Sequence, residues 1–500
     1  MSILNRFPIS FKRYVSSAIA PPNRLALQHR GQGIHSTFSL STSLSTNPAG
    51  FTSAHPHCNY SSRPTTVLSA AQTEQSFHPT SSTPSVLQGK LSSSRIPLQN
   101  TAFSFTRHSD HLRVKFGDGQ ISNFHYLWLR DNCRCSECFH PYTKQRLLDT
   151  FQIPLDLSPK NVEALKEEKL QIEWLDGHIT VIPLSFLKQY SYDPPTKDDH
   201  NTVNQSERTL WDRSIETSTP SVQFESLFLQ GEAGKRAVLE WLRNIDRFGF
   251  CLVDGVPLEP VMTEKLLCRI AFIRETHYGA FWDFTADMEH GDTAYTNLPL
   301  GAHTDTTYFS DPAGLQLFHL LSPVDSHTGG MSLLVDGFAV ASRLKELHPW
   351  AYETLSQVQV DSHASGGEGV ALRPLLPSPV LTHHPRSGEL VIIRWNPDDR
   401  RPLQTRDGEE LKRWYCAVRE WEKILKSSEM EFWMQMKQGQ ALIFDNQRVL
   451  HGRSGFTGSR RLCGGYINGD DYRSRLRSLE DRFRKKTATA SSTDVWREIE

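Results

Sequence analysis

Alternating apolar and polar positions predict a small β-rich domain between residues 103 and 192. In LRVKFGDGQISNFHYLWLRD, two alternating runs flank a Gly-Asp-Gly turn at 117–119, which is typical of a hairpin. The segment LQIEWLDGHITVIP repeats this arrangement around an Asp-Gly pair at 176–177. The polar, proline-bearing stretch that follows, 193–220, is predicted to be a linker.

From 221 to 485 the pattern changes to helical stripes and short apolar runs, which predicts one larger domain. In AGKRAVLEWLRNIDRFGF, apolar residues recur on one helical face and Gly249 ends the helix. A second helix, in GEELKRWYCAVREWEKILKS, is predicted to present one apolar stripe, made of Leu411, Trp414, Tyr415, Val418, Trp421 and Leu425. Short runs such as FCLVDGVP, GMSLLVDGF and GQALIFDN predict strands. The expected fold is mostly β with packed helices, and its large domain is a double-stranded β-helix, or jelly roll.

The chain before residue 103 has a different composition. No Asp or Glu occurs before Glu74, whereas Arg and Lys are scattered among many Ser and Thr residues. A basic, serine-rich, acid-poor start is typical of a mitochondrial presequence, so we expect residues 1–102 to be a presequence followed by a disordered Ser-rich segment, and the protein to lie in the mitochondrial matrix. A merely disordered extension is the alternative. Residues 486–500 are expected to form a C-terminal tail.

The overall charge excludes some classes of partner. With 55 Lys and Arg against 56 Asp and Glu, the chain gives no electrostatic reason to expect nucleic acid or an anionic membrane. No apolar run approaches the roughly 18 residues of a spanning helix. Eight cysteines in 500 residues do not make a disulfide scaffold, and three of them crowd into CRCSEC, which suggests metal ligation in a reducing compartment.

The stretch GAHTDTTYF contains a candidate pair of metal ligands. In a strand, residues two apart point to the same side, so His303 and Asp305 could bind one ion. A facial triad for non-heme Fe(II) needs one more histidine, and His451 follows the predicted strand ALIFD. Nine residues later, Arg460 could hold the distal carboxylate of 2-oxoglutarate with its guanidinium fork. A lone His-x-Asp pair is usually not a metal site, but this combination in this order favours one.

Over roughly 103–480 the chain resembles the γ-butyrobetaine/trimethyllysine dioxygenase family of Fe(II)- and 2-oxoglutarate-dependent oxygenases. The resemblance is carried by motifs in one order: WLRDNCRCSEC, WLDGH, GFCLVDGVP, YGAFW, AYTN, HTDTTYF, GLQLFHLL, GGMSLLVDGF, IIRWN, DNQRVLHGRSGFTG and RRLCGGY. Two of them, HTDTTYF and LCGGY, favour the trimethyllysine branch. The resemblance implies Fe(II) ligation by the same two histidines and aspartate, and 2-oxoglutarate binding by Arg460.

The resemblance also implies a substrate site. A trimethylammonium group has no N–H to donate, so aromatic faces recognise it. The family's cage positions fall on Tyr278, Trp282, Tyr295 and Tyr466. Asn396 matches a residue that binds the substrate's carboxylate end, although Pro397 follows it where the family often has a second Asn. Ser332 lies where related oxygenases place a hydroxyl on 2-oxoglutarate.

A second metal site is expected near the amino terminus. The spacing of Cys133, Cys135 and Cys138 suits a structural zinc ion with four ligands. In resembling butyrobetaine enzymes the fourth ligand is a histidine that matches His178, while His140 is a nearer candidate in the sequence. Buried free thiols are the alternative to zinc.

The activity that the resemblance implies is C3 hydroxylation of N6,N6,N6-trimethyllysine, coupled to conversion of 2-oxoglutarate and dioxygen to succinate and carbon dioxide. This is the first step of carnitine biosynthesis, and ascorbate would keep the iron reduced. The nearest alternative is γ-butyrobetaine hydroxylation. A jelly-roll binding protein without iron is a third possibility, but a degenerate copy should have lost a ligand or Arg460. The resemblance also implies a homodimer.

Overall fold

A computed structural model describes residues 103–195, 208–285, 296–322, 329–364, 369–458 and 460–487. The expected presequence, Tyr295 and residues 488–500 of the expected C-terminal tail lie outside these residues, whereas residues 486 and 487 end helix α9. The strands are β1 (Ser104–Arg107), β2 (His111–Lys115), β3 (Ile121–His125), β4 (Pro159–Leu165), β5 (Lys169–Trp174), β6 (Ile179–Pro183), β7 (Ser221–Gln223), β8 (Phe250–Asp254), β9 (Phe281–Thr285), β10 (Leu300–His303), β11 (Leu315–Ser322), β12 (Ser332–Asp336), β13 (Leu381–His383), β14 (Leu390–Ile393), β15 (Phe432–Met434), β16 (Ala441–Asp445), β17 (Val449–Arg453) and β18 (Arg461–Ile467). The helices are α1 (Tyr126–Asp131), α2 (Leu184–Gln189), α3 (Phe224–Leu227), α4 (Gly231–Phe248), α5 (Pro260–Cys268), α6 (Gly337–Leu347), α7 (Pro349–Gln357), α8 (Gly408–Leu425) and α9 (Gly469–Thr487).

Two three-stranded antiparallel sheets make up the amino-terminal part. One has the order β1-β2-β3 and the other β4-β5-β6, and both predicted hairpins are confirmed. The sheets share one core, to which each contributes the alternate residues of its strands, for example Leu112 and Phe124 from the first and Ile172 and Trp174 from the second. All four of these side chains are fully buried, as the period-2 pattern requires.

Two larger sheets pack face to face in the carboxy-terminal part. Six strands have the order β7-β8-β16-β11-β18-β9 and four have the order β10-β17-β12-β15, and only the β7–β8 pair is parallel. Side chains from both sheets form one core, among them Phe250, Phe444 and Leu334. The outer face of the six-stranded sheet carries α4, α5 and α9, and that of the four-stranded sheet carries α6, α7 and α8.

The long helices follow the sequence pattern with one exception. Helix α4 buries Val238, Leu242 and Ile245, and it ends at Gly249, whose φ of 78° is accessible to glycine without strain. Helix α8 buries Trp414, Trp421 and Leu425 together with Ala417. Tyr415 is 43% exposed, so its place in the predicted stripe was wrong.

The described chain is a mixture of helix and strand. Three helices, α4, α8 and α9, have 18, 18 and 19 residues, whereas no described strand exceeds eight. The expectation of a mostly β chain was therefore too strong, because each large sheet needs a layer of helices to cover its outer apolar face. No helix in the described part of the chain is long and apolar enough to cross a membrane.

Part of the predicted linker packs against the large sheets. Trp211 is 5% exposed, its backbone N–H donates to Asp336 (3.1 Å), and its indole N–H donates to the carbonyl of Phe248. Arg448 donates to the carbonyl of Thr209 (2.7 Å) and forms a buried ion pair with Asp336 (2.8 Å). The residues from 208 onward are thus fixed to the sandwich.

Candidate active site and cysteine cluster

The two strands β10 and β17 bring His303, Asp305 and His451 together between the large sheets. His303 and His451 are directly paired across the two strands, and their ring centroids lie 4.4 Å apart. The Oδ1 atom of Asp305 lies 3.2 Å from Nε2 of His303 and 3.7 Å from Nε2 of His451. Adjacent ligands of an octahedral ion lie about 3 Å apart, so the three groups fit one face of such an ion.

Hydrogen bonds occupy the atoms of His303 and Asp305 that face away from the centre of the triad. Nδ1 of His303 donates to the carbonyl of Gly301 (2.8 Å), which leaves Nε2 with the lone pair that a metal needs. Oδ2 of Asp305 accepts from Gln316 (2.8 Å) and from the hydroxyl of Tyr466 (2.8 Å), which leaves Oδ1 toward the histidines. Gln316 and Tyr466 are register partners on β11 and β18, so the sheet places both donors side by side.

The backbone of the triad segment is held from β16. The backbone N–H of Asp305 donates to Asn446 Oδ1 (2.7 Å), and the Asn446 amide donates back to the carbonyl of Asp305 (3.0 Å). Thr306 has a positive φ of 58°, which is costly for a threonine, and its hydroxyl accepts from the Ala313 N–H (2.9 Å). These contacts keep Asp305 at the end of β10.

The electrostatics of the triad favour metal-binding protonation states for two of its members. Burial raises the pKa of Asp305, but His451, His303 and the Tyr466 hydroxyl outweigh it, and the net pKa is lowered. Burial and the neighbouring His303 lower the pKa of His451 to about 3. Burial lowers the pKa of His303, yet the hydrogen bond and charge of Asp305 raise it overall, with a contribution from Asp399. At neutral pH, Asp305 is ionised and His451 is neutral.

A cavity of about 300 Å³ opens from the triad and carries the aromatic residues predicted for the substrate. Tyr278, Trp282 and Tyr466 all line it. The ring of Trp282 lies over Gly464, where a Cβ would come within 2.5 Å of the indole, so only glycine leaves room for this ring. Trp282 meets Tyr466 edge to face at 6.0 Å. A fourth aromatic residue, Tyr308, also lines the cavity, and its hydroxyl lies 3.2 Å from that of Tyr278.

Two buried arginines line the same cavity. Arg460 is 6% exposed, and burial, with Arg453 nearby, lowers its pKa to about 10. No hydrogen bond or ion pair joins Arg460 to another residue in the described part of the chain. Arg453 pairs in register with Ser332, which also lines the cavity, and donates to the carbonyls of Thr296 (2.7 Å) and Leu298 (3.0 Å). A buried cation that faces a cavity favours an anionic ligand.

Asn396 lines the cavity, but its hydrogen bonds go to its own loop. Its amide donates to Oδ2 of Asp399 (2.9 Å), and its Oδ1 accepts from the N–H of Asp398 (3.1 Å). Thr307, two residues after the triad aspartate, donates to the same Oδ2 of Asp399 (3.0 Å). The observed contacts of Asn396 therefore position a carboxylate rather than leave the amide fully available.

The cysteine cluster lies in the amino-terminal part. Nε2 of His178 is 3.3, 3.7 and 3.6 Å from the sulfurs of Cys133, Cys135 and Cys138. Ligands of a tetrahedral zinc ion lie about 3.5 Å apart, so the spacing fits zinc. His140, the other candidate, instead accepts from the backbone N–H of Thr143 (3.1 Å). Burial raises the pKa of Cys133 to about 12 and also raises that of Cys138.

Several residues of the site were not identified from the sequence. Gln316, Asn446, Tyr308 and Asp399 all lie in or beside motifs that the family resemblance uses, namely GLQLFHLL, DNQRVL, HTDTTYF and IIRWN. Their types are common in cores and turns, and spacing alone does not show that they converge on Asp305 or on the cavity. Proximity to a motif was the available signal.

Comparison with known proteins assigns the two parts of the chain separately. Residues 212–466 match the taurine catabolism dioxygenase TauD, TfdA family, and residues 103–191 match the gamma-butyrobetaine hydroxylase-like N-terminal family. The first range contains the triad and Arg460, and the second contains the cysteine cluster.

The chain is also similar along most of its length to curated proteins. It is 44% identical over 384 residues to trimethyllysine dioxygenase of Neurospora crassa, covering 70% of this chain and 79% of that protein. It is 40% identical over 379 residues to the mitochondrial trimethyllysine dioxygenase of Homo sapiens, covering 75% and 87%. Identity to gamma-butyrobetaine dioxygenase of a Pseudomonas species is 30% over 392 residues, covering 77% and 97%. The chain therefore belongs to the TauD/TfdA family of dioxygenases, and within it to the trimethyllysine dioxygenases.

Proposed function

We propose that this protein hydroxylates N6,N6,N6-trimethyllysine at C3 and couples that reaction to oxidative decarboxylation of 2-oxoglutarate to succinate and carbon dioxide. In this role it would catalyse the first step of carnitine biosynthesis. The observation that carries the proposal is the open metal-ligand triad in a cavity with an aromatic wall and a buried arginine. The higher identity to trimethyllysine dioxygenases than to the butyrobetaine enzyme favours this substrate.

His303, Asp305 and His451 are the proposed iron ligands. Their inward atoms have the spacing of one octahedral face, and the outward atoms of His303 and Asp305 are held by Gly301, Gln316 and Tyr466. Fe(II) bound there supplies dioxygen activation, which no amino-acid side chain can provide. The protein's own contribution is to fix the ligand atoms and to leave the cavity side of the triad open.

Arg460 is the proposed anchor for 2-oxoglutarate. The burial of its guanidinium makes a carboxylate partner strongly favourable, because a buried cation without a partner is costly. Ser332, on the same cavity wall, would add a hydroxyl contact to the co-substrate. Bound in this way, the co-substrate would lie beside the triad.

The aromatic wall is the proposed trimethylammonium site. Tyr278, Trp282 and Tyr308 line the cavity, while Tyr295 is proposed from the resemblance alone. Tyr466 combines two functions, since its ring meets Trp282 and its hydroxyl holds Asp305. Binding of the trimethylammonium group at this aromatic wall would direct the middle of the substrate chain toward the triad. Asn396 is the proposed contact for the carboxylate end of the substrate.

We propose that the face-to-face sandwich is the double-stranded β-helix of one domain, residues 221–485, joined by a linker at 193–220 to a domain at 103–192. Zinc at Cys133, Cys135, Cys138 and His178 would be structural, because four ligands leave no open position. Ascorbate as reductant of the iron, and a homodimer, complete the proposal.

Matrix localisation is proposed from two observations. The chain before Glu74 is basic and free of acidic residues, and the human relative is named as mitochondrial. Fractionation of cells that produce the full chain with a C-terminal tag should place it in the mitochondrial matrix. Cytosolic protein that keeps residue 1 would contradict this assignment.

A competition assay tests the substrate. The purified protein, with Fe(II), 2-oxoglutarate and ascorbate, receives equal amounts of trimethyllysine and γ-butyrobetaine, and mass spectrometry shows which gains one oxygen atom. We expect oxygen on trimethyllysine. Oxygen on γ-butyrobetaine would overturn the substrate but keep the oxygenase, and no succinate would overturn the enzyme itself.

A further inference from the structure

A carboxylate next to the triad has no role in the chemistry described above. Asp399 follows β14 in the segment RWNPDDR and lines the cavity together with His303. Asn396 and Thr307 both donate to its Oδ2, at 2.9 and 3.0 Å. Its backbone carbonyl accepts from the backbone N–H of His363 at 2.8 Å. The side chain and backbone of Asp399 are therefore both fixed in position.

The location of Asp399 is set by the metal-binding segment. Thr307 lies two residues beyond Asp305, so its hydrogen bond ties the Asp399 carboxylate to the strand end that carries the triad. The charge of Asp399 acts on His303 directly. The cavity thus has aromatic rings for the cationic head and, close to the triad, an acidic group.

The chemistry of trimethyllysine distinguishes these two features. Its quaternary nitrogen is at the end of the side chain, whereas its α-nitrogen is on the carbon next to C3. When C3 lies at the triad, the α-ammonium group must lie close to it, and the quaternary nitrogen must lie farther away. An ammonium group has three N–H donors and is best satisfied by a carboxylate, whereas a quaternary ammonium has none and is best satisfied by aromatic faces.

We propose that Asp399 binds the α-ammonium group of the substrate and so selects an α-amino acid over a betaine that lacks this group. This assignment rests on the proposed function, because it takes trimethyllysine as the substrate. Asn396 and Thr307 act through Asp399 as positioning residues. Without a carboxylate here, the site would accept any chain with a trimethylammonium head and a suitable length.

The test compares trimethyllysine with 6-(trimethylammonio)hexanoate, which is the same molecule without its α-amino group. The Asp399→Asn variant of the full chain removes the charge but keeps an oxygen that can accept from Thr307. Asp156→Asn is the matched control, because it removes the same charge from an exposed residue that does not line the cavity. Kcat/KM is measured for both substrates, and substrate affinity is measured by calorimetry without dioxygen.

We expect the unmodified protein to prefer trimethyllysine by about 10- to 100-fold, the effect of one hydrogen-bonded charge pair. In Asp399→Asn the preference should fall to within about threefold, through weaker binding of trimethyllysine alone. The Asp156→Asn variant should keep the unmodified preference. Binding of Fe(II) and 2-oxoglutarate should be unchanged in both variants, which separates this role from a structural one.

Two results would overturn the assignment in different ways. If the unmodified protein prefers trimethyllysine and Asp399→Asn retains that preference, or loses both substrates equally, Asp399 does not bind the ammonium group, but the proposed function stands. If the unmodified protein hydroxylates neither substrate, the proposed function fails and the assignment fails with it.

Discussion

The triad of His303, Asp305 and His451 and the cysteine cluster are both groups of candidate metal ligands, yet they differ in what surrounds them. The triad has three ligands and faces a cavity of about 300 Å³. The cluster has four candidate ligands, and two of them, Cys133 and Cys138, are buried. A closed four-ligand site suits a structural ion, whereas an open three-ligand site suits chemistry. The number of ligands and the space beside them therefore distinguish the two proposed roles.

The two groups also differ in how they are built. The triad joins residues that are far apart in the chain, and hydrogen bonds from the six-stranded sheet hold it, through Gln316, Tyr466 and Asn446. The cluster has three ligands within six residues, and one turn brings the fourth. In that turn the N–H of His178 donates to Asp176 (2.9 Å). A site assembled from distant strands depends on the whole sandwich, and a local site depends mainly on its own loop and turn.

The largest expected effect is that of His303→Ala. Removal of one of three iron ligands should abolish iron binding at the triad and reduce hydroxylation to background, because the remaining two ligands cannot define an octahedral face. Iron and zinc content, measured by mass spectrometry of the metals, should show loss of iron alone. Unchanged activity would contradict the proposed ligand set.

Cys133→Ser should have the complementary effect. Loss of one thiolate should release zinc and lower the melting temperature by more than about 10 °C, since the bound metal contributes to folding energy outright. Iron binding at the triad should persist. Cys416→Ser, at an exposed thiol on α8, is the matched control and should melt as the unmodified protein does. Retention of zinc by Cys133→Ser would remove this residue from the site.

The pH dependence of metal affinity should distinguish the two sites further. Burial raises the pKa of the Cys133 and Cys138 thiols, so zinc must displace their protons, and higher pH should strengthen zinc binding. The gain should be up to about tenfold per displaced proton and pH unit. At the triad, Asp305 and His451 have lowered pKa values and are already deprotonated near pH 7, so at most the His303 proton competes. Chelator competition between pH 7 and 8 should show the steeper slope for zinc.

Tyr466→Phe should give the smallest effect and separates the two proposed functions of this residue. The variant keeps the ring but loses the hydroxyl that donates to Asp305, so iron affinity or turnover should fall by about 10- to 100-fold. The KM for the substrate should change little, because the ring face remains. If KM rises while iron affinity is unchanged, the hydroxyl belongs to substrate binding and not to the orientation of the ligand.

Periodicity predicted the local structure well wherever one face of an element is buried. The two amino-terminal hairpins and the α4 helix with its Gly249 cap are confirmed. Tyr415 shows the limit of that method, since it lies at the edge of the apolar stripe of α8, where packing against α6 and α7 decides exposure. Helix content was underestimated because strand patterns do not show what covers the outer face of a sheet.

The sequence by itself determined the family and the candidate ligands, because His-x-Asp, the later histidine and the cysteine spacing are chemical patterns along the chain. Only the tertiary structure decided which residues support them. Gln316 and Tyr466 meet Asp305 because β11 and β18 are adjacent in register, and Asp399 reaches the cavity because Thr307 fixes its loop. Such contacts join positions up to 161 residues apart, and no local pattern of hydrophobic and polar residues can encode them.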